Sequence, residues 1–144
     1  MTCRIFEICL AIMFLVLLTG CATDIQAVNT KVNAYKYQPE PAGQDVWKSP
    51  AQFYADGGGD CEDSAIAKMS LLPDHDTKLV VGVLKSGQAH AVLLVDGVYV
   101  LDNRFNAIRH WSSYKRELIK YYYSSGAPSL TTPLKRLCLK SKTL

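Results

Sequence analysis

The chain lacks the features that would place it in several large classes. Its 16 Lys and Arg against 13 Asp and Glu leave a formal charge of only +3. No aromatic residues interleave with the one basic cluster, Lys135, Arg136, Lys140 and Lys142, so that cluster reads as a solvated tail and nucleic acid is not an expected partner. Internal repeats and low-complexity segments are absent. No apolar run reaches the about 20 residues of a membrane span. Cysteine is sparse, at five residues in 144. What remains is a 49% hydrophobic, 20% charged composition at a length suited to one globular domain with a core.

The longest apolar stretch is at the start. Arg4 supplies a positive charge, Ile5 to Leu18 is apolar apart from Glu7, and Thr19 and Gly20 are small, the pattern of a secretory signal peptide over residues 1–20. Leu18-Thr19-Gly20-Cys21 resembles a bacterial lipobox. That motif implies cleavage before Cys21, a lipid on its sulfur and attachment to a membrane, with Ala22 suiting the outer one. The folded domain is then 21–144. Cys3 and Cys9 leave with the signal, so Cys61 and Cys138 remain as thiols of the domain, and in an oxidising periplasm a bridge between them stays open.

Ile25, Val28, Val32 and Tyr35 recur at helical spacing behind Asp24, which predicts a helix over about 24–36. Pro39, Pro41 and Gly43 mark a loop. Ser49-Pro50 then caps and opens a short helix that Gly57-Gly58-Gly59 breaks. Asp60 caps a second helix running to about Leu72, where Pro73 prevents continuation. The period changes after that. Lys78–Lys85, His90–Val95 and Val98–Leu101 are apolar runs separated by Ser86-Gly87 and Asp96-Gly97, an antiparallel meander whose central strand is apolar on both faces. Residues 112–120 read as helix or strand, and Tyr121-Tyr122-Tyr123 leans to strand. The expected class is α+β: leading helices, one with Cys61 at its start, packed on a small antiparallel sheet.

Cys61 in the first turn of a helix lies where main-chain N–H groups and the helix dipole favour a thiolate and lower the thiol pKa. Three acidic neighbours, Asp60, Glu62 and Asp63, act the other way, so a histidinium or a cation has to offset them. An ordinary helix start with a small packed Cys is the plainer account of the same stretch. His90 opens one strand and Asp102 closes the next, in the order a thiol catalyst uses. Their relative facing depends on the hairpin. A two-residue Asp96-Gly97 loop sets His90 opposite Asn103; a three-residue Val95-Asp96-Gly97 loop sets it opposite Asp102. The second is favoured, with Asn103 the fallback for orienting the imidazole. His75 and His110 read as solvated side chains.

Trp47-Lys48-Ser49-Pro50, the block Gly59-Asp60-Cys61-Glu62-Asp63-Ser64-Ala65-Ile66-Ala67-Lys68, His90-Ala91-Val92-Leu93 and Leu101-Asp102-Asn103 together resemble the bacterial transglutaminase-like cysteine proteinases, the group of LapG-type periplasmic proteases. Ala27-Val28-Asn29 and Asn33 extend the likeness to the leading helix. The resemblance implies a papain-like or transglutaminase-like core and a Cys61, His90, Asp102 triad. It also implies Ca2+ beside the nucleophile with Asp60 and Glu62 among its ligands, and a protein substrate in the cell envelope such as a surface adhesin. The chain departs from the group in its shorter part after Asp102, which implies a reduced cleft, and in the lipobox, which implies a tethered enzyme. A cell-wall amidase or acyl transferase is a second enzymatic reading, weakened because the wall amidases carry Ser-Gly where this chain has Glu62-Asp63. A non-catalytic lipoprotein that binds an envelope partner through the same fold is the third.

Overall fold

The computed structural model describes residues 25–41, 44 and 46–125. The expected signal peptide, the lipobox-like segment with Cys21, Asp24 and Cys138 lie outside the described residues. Helix α1 covers 25–33 and stops short of the predicted 36. Its continuation, β1 (Lys36–Tyr37), instead pairs in parallel with β2 (Gly58–Gly59). Only glycine permits this pairing at position 58: its φ is +143°, and an added Cβ would run into the Lys36 carbonyl oxygen. Helix α2 (Pro50–Ala55) starts as read from the sequence, with Pro50 in its first turn and Ser49 as a capping-box N-cap whose Oγ accepts from the Gln52 N–H at 3.2 Å.

Helix α3 (Cys61–Ser70) follows Asp60 as its N-cap, and Cys61 is its first residue. A five-stranded antiparallel sheet comes next, made of β3 (Thr77–Leu84), β4 (Ala89–Val95), β5 (Tyr99–Leu101), β6 (Arg109–His110) and β7 (Leu118–Ser125), in spatial order β6-β5-β4-β3-β7. Between β6 and β7 the chain makes a short helix, α4 (Trp111–Tyr114), and a 3-10 turn over Lys115–Glu117. The ambiguous 112–120 stretch is therefore helical first and strand afterwards.

Both faces of β4 are covered, as its unbroken apolar run requires. Ala91, Leu93 and Val95 pack with Leu79, Val81 and Leu101 against Cys61 and Ala65 of α3. Val92 and Leu94 pack with Val80, Val100 and Tyr114 on the other side. Helix α1 is joined to this body through Ile25, which enters the first cluster, and Val32, which meets Phe53 of α2 and Ala67 of α3. The result is the α+β arrangement the sequence pattern called for: helices on a small antiparallel sheet, with Cys61 at a helix start facing it.

Candidate active site

The hairpin between β4 and β5 decides which residues meet. Leu93 stands opposite Leu101, Leu94 opposite Val100 and Val95 opposite Tyr99, which leaves Asp96, Gly97 and Val98 as the connection. Asp96 and Gly97 both have positive φ, 53° and 68°, and Val98 N–H donates to the Val95 carbonyl. Neither register expected from the sequence is the observed one. The three-residue connection lies one position further along than Val95-Asp96-Gly97, yet it has the same parity, so His90 and Asp102 share a face. His90 Nε2 and Asp102 Oδ1 are 2.8 Å apart, with both side chains buried. Asn103 makes no such contact with the ring.

Asp102 collects donors from three directions. Besides His90, Oδ1 accepts from the Arg104 main-chain N–H at 2.9 Å. Oδ2 accepts from Arg104 Nε at 3.1 Å, Arg104 Nη2 at 2.8 Å and the Tyr114 hydroxyl at 2.7 Å. Burial alone would raise the Asp102 pKa. The hydrogen bonds from His90 and Arg104 outweigh it and hold the carboxyl well below the ordinary carboxylate range. Lys68, fully buried on α3, feels the same carboxylate: burial lowers its pKa to about 7 against the opposing pull of Asp102.

Cys61 is a free thiol, 7% exposed. The Ala91 main-chain N–H hydrogen-bonds to its sulfur, which sets Sγ against the start of β4, one residue past His90. The thiol donates to Glu62 Oε2 at 3.0 Å. Its pKa is pushed well up rather than down: burial is the largest cause, followed by the charges of Glu62 and Asp60, and the Ala91 N–H only partly opposes them. The expected lowering by the helix start is thus overcome by desolvation and by the carboxylates on either side. Asp63 has a different task. Its Oδ1 accepts from the Lys48 N–H at 2.7 Å and its Oδ2 from the Asp60 N–H at 3.3 Å, tying the Trp47–Ser49 strap to α3. Burial raises its pKa to about 6.

Over residues 15–128 the sequence matches the family model of the bacterial transglutaminase-like cysteine proteinases. The chain belongs to this family. No curated protein matches it. Among solved structures, it is similar to calcium-bound LapG of Legionella pneumophila, with 27% identity and a TM-score of 0.62 over 82% of this chain and 78% of that one. The EGTA-treated form of that protein gives 26% identity and a TM-score of 0.63, covering 83% and 78%. A further structure of the same LapG gives 28% and 0.61, covering 83% and 77%.

For a member of this proteinase family, Asp60 and Glu62 are the residues to test against calcium. Both are buried carboxylates flanking the thiol, hard oxygen donors of the kind calcium takes. Among the described residues no group of three or more His, Cys, Asp and Glu side chains converges as a metal site. The fit is therefore one of donor chemistry: two carboxylates, with main-chain oxygens and water left to complete a shell.

Three residues of the site escaped sequence reasoning. Arg104 and Tyr114 carry no motif, and Lys68, although it closes the block that carries the family resemblance, has no role readable from the sequence. The Arg sits two residues after Asp102, a spacing at which its guanidinium folds back on the carboxylate. His75 and His110, read as solvated, are engaged: His75 Nδ1 meets Asp96 Oδ2 at 2.7 Å, and His110 Nδ1 accepts from the Ser112 N–H at the start of α4.

Proposed function

We propose that the chain is an envelope-tethered cysteine endopeptidase of the periplasm in which Cys61 is the nucleophile, His90 its base and Asp102 the residue that orients the imidazole. The observation that carries this reading is the buried 2.8 Å contact between His90 Nε2 and Asp102 Oδ1, on a strand whose next N–H reaches the Cys61 sulfur. Since Nε2 is held by the carboxylate, Nδ1 is the nitrogen left to exchange a proton. His90 Nδ1 takes the Cys61 proton and the thiolate adds to a peptide carbonyl, with the developing oxyanion at the Cys61 N–H in the first turn of α3. The C–N bond then breaks, and the leaving amine takes the proton from His90. Water, activated by the same imidazole, hydrolyses the thioester to a carboxylate and regenerates the thiol. Asp102 stays ionised throughout, with Arg104 and Tyr114 fixing its oxygens.

Asp60 and Glu62 would hold calcium, which when bound supplies positive charge beside a thiol that their own charges otherwise keep protonated. The lipid on Cys21 places the enzyme at the outer membrane, and its substrate is a protein of the cell envelope, of which a surface adhesin is one kind. One observation favours a second reading: the thiol donates to Glu62 and its pKa is raised, as in a non-catalytic lipoprotein that binds a partner on this fold.

Iodoacetamide labelling from pH 5 to 9 separates the two. In wild type, Cys61 is expected to label fast below the ordinary thiol range. This behaviour should be lost in His90→Ala and reduced on calcium chelation. An ordinary thiol profile in both proteins would sink the peptidase reading and leave the binding module.

A further inference from the structure

One cleft of this domain concentrates positive charge. Its volume is about 500 Å³, and its walls are the turn from β3 into β4, the segment after β5, strand β6 and the 3-10 turn before β7. Four cations line it: Lys85, Arg104, Arg109 and Arg116. Two of them are paired. Arg104 Nη2 meets the buried Asp102 Oδ2 at 2.8 Å, and Arg109 Nη2 meets Glu117 Oε1 at 2.6 Å. Among the described residues no carboxylate lies at ion-pairing distance from the Lys85 ammonium or the Arg116 guanidinium. With Asp102 and Glu117 set against the four cations, the cleft keeps a surplus of two positive charges.

This surplus can be reached from solvent. Lys85 and Arg116 are exposed, and the side chains of Arg104 and Arg109 are 32% and 31% exposed. It is also held in place. The Lys85 N–H donates to the Glu117 carbonyl at 2.9 Å, so the two turns that carry the unpaired cations are joined through the main chain. The Arg109 guanidinium lies over the Phe105 and Tyr114 rings, 5.0 and 5.4 Å from their centroids, and Arg104 lies over Phe105 at 5.0 Å. Guanidiniums fixed in this way lose little freedom when a further acceptor arrives. Ser86 Oγ accepts a long bond from the Gln88 N–H at 3.5 Å, which leaves its own proton to donate.

We propose that this cleft docks an acidic stretch of another protein, one with two carboxylates close together. They meet Lys85 and Arg116, and the N–H groups of Arg104 and Arg109 that Asp102 and Glu117 leave unused complete their hydrogen bonds. A basic stretch would find Glu117 already taken by Arg109. An anionic membrane presents a continuous plane of charge that would meet Glu117 as well as the cations, whereas separate side chains can be placed at the cations alone. The inference goes beyond the endopeptidase reading and does not need it. Arg104 nevertheless sets a docked carboxylate one guanidinium away from Asp102, so a partner seated here is coupled to the carboxylate that holds His90.

The test uses the full chain with Cys61→Ala, 15N-labelled, so that binding is read without turnover. Short blocked peptides of Gly and Ser that carry two Glu, two Gln or two Lys are titrated, and the Nε–H signals of Arg104 and Arg109 are followed by NMR. The Glu peptide is expected to bind best, to move both signals and to weaken as salt is raised. Lys85→Glu together with Arg116→Glu should weaken it about five- to twentyfold. Lys31→Glu together with Lys36→Glu, which reverses two exposed cations outside the cleft, should change it by less than about twofold. Lys85→Gln together with Arg116→Gln serves if the reversed pair does not fold. No shift with the Glu peptide, equal binding of the Gln peptide, or an equal loss in the two reversed pairs would overturn the proposal, the last by showing only the pull of overall charge. Glycerol phosphate, the charged part of a phospholipid head group, is the further probe, and its binding in preference to the Glu peptide would give the cleft to a membrane instead. None of these readouts uses the thiol, so they stand or fall apart from the labelling of Cys61.

Discussion

Asp102 is surrounded by more hydrogen-bond donors than orienting one imidazole requires. Tyr114 and Arg104 bind the oxygens that His90 leaves, and the Tyr114 hydroxyl in turn accepts from Arg104 Nη2 at 2.9 Å. A hydrogen bond to a buried charge is worth about 1.5–3 kcal/mol, so Tyr114→Phe is expected to lower unfolding free energy by that amount in urea titrations. A loss under 0.5 kcal/mol, on the order of a surface change, would mean the bond is replaceable. Lys68 makes the opposite contribution. Its folded-state pKa of about 7 lies below the ordinary 10.5, so below pH 7 folded and unfolded chains both carry the proton and the full cost of the buried ammonium is felt. Between those values the unfolded chain keeps a proton that the folded one has released, and stability rises with pH. Lys68→Met is accordingly expected to stabilise by about 1–4 kcal/mol at pH 6 and by far less at pH 10. An equal gain at both pH values in thermal melts would contradict the assignment.

At the level of elements, α3 depends on what precedes it. A Cβ at position 59 would collide with the Asp63 carboxylate, which holds the N–H groups of Lys48 and Asp60. Gly59→Ala is therefore expected to cost about 1–3 kcal/mol and to free the Trp47–Ser49 strap, visible as faster amide exchange at Lys48. Unchanged exchange there would show that the strap is held by other means. Much of this region was legible in the sequence because its signals are local. Ser49 followed by Pro50, Asp60 before an apolar helical run, and Pro73 after it each act within one turn. The β1-β2 ribbon was not legible: Lys36-Tyr37 has no strand pattern, and its partner is two glycines whose pairing depends on close approach rather than on side chains. The hairpin register was legible only to parity. A D-G pair announces a turn, but whether Val98 joins the connection depends on how β5 meets β6, which is tertiary. The contact of His90 with Asp102 could be anticipated for that reason, whereas the bonds of Arg104 and Tyr114 to the same carboxylate, and the charge it sets on Lys68, join a loop and two helices.

For the molecule as a whole, the sheet is closed on one side by the last described strand. β7 pairs with β3 from Lys78 opposite Ser125 to Leu84 opposite Leu118, with one register shift between Val83 and Leu84. At Gly82 the approach is so close that a Cβ would press on the Lys120 carbonyl. A chain ending at Glu117 leaves β3, one of the most apolar strands, as an open edge. It is expected to melt well below a chain ending at Ser125 and to elute as aggregate in size-exclusion chromatography. Equal melting of the two would show that β7 adds nothing to the core.

Helix α1 grips the segment after β5 by its amides. Asn29 Nδ2 holds the carbonyls of Phe105 and Asn106, Gln26 Nε2 also reaches Asn106, and Asn33 holds Asp102 and Phe105. The first described helix and the carboxylate against His90 are thus parts of one lever. A pull at the start of that lever would reach the imidazole through a rigid rod and one side-chain amide. Strain that arrives at Ile25 is thereby delivered to the carboxylate that holds His90, and the two ends of that lever share one mechanical fate.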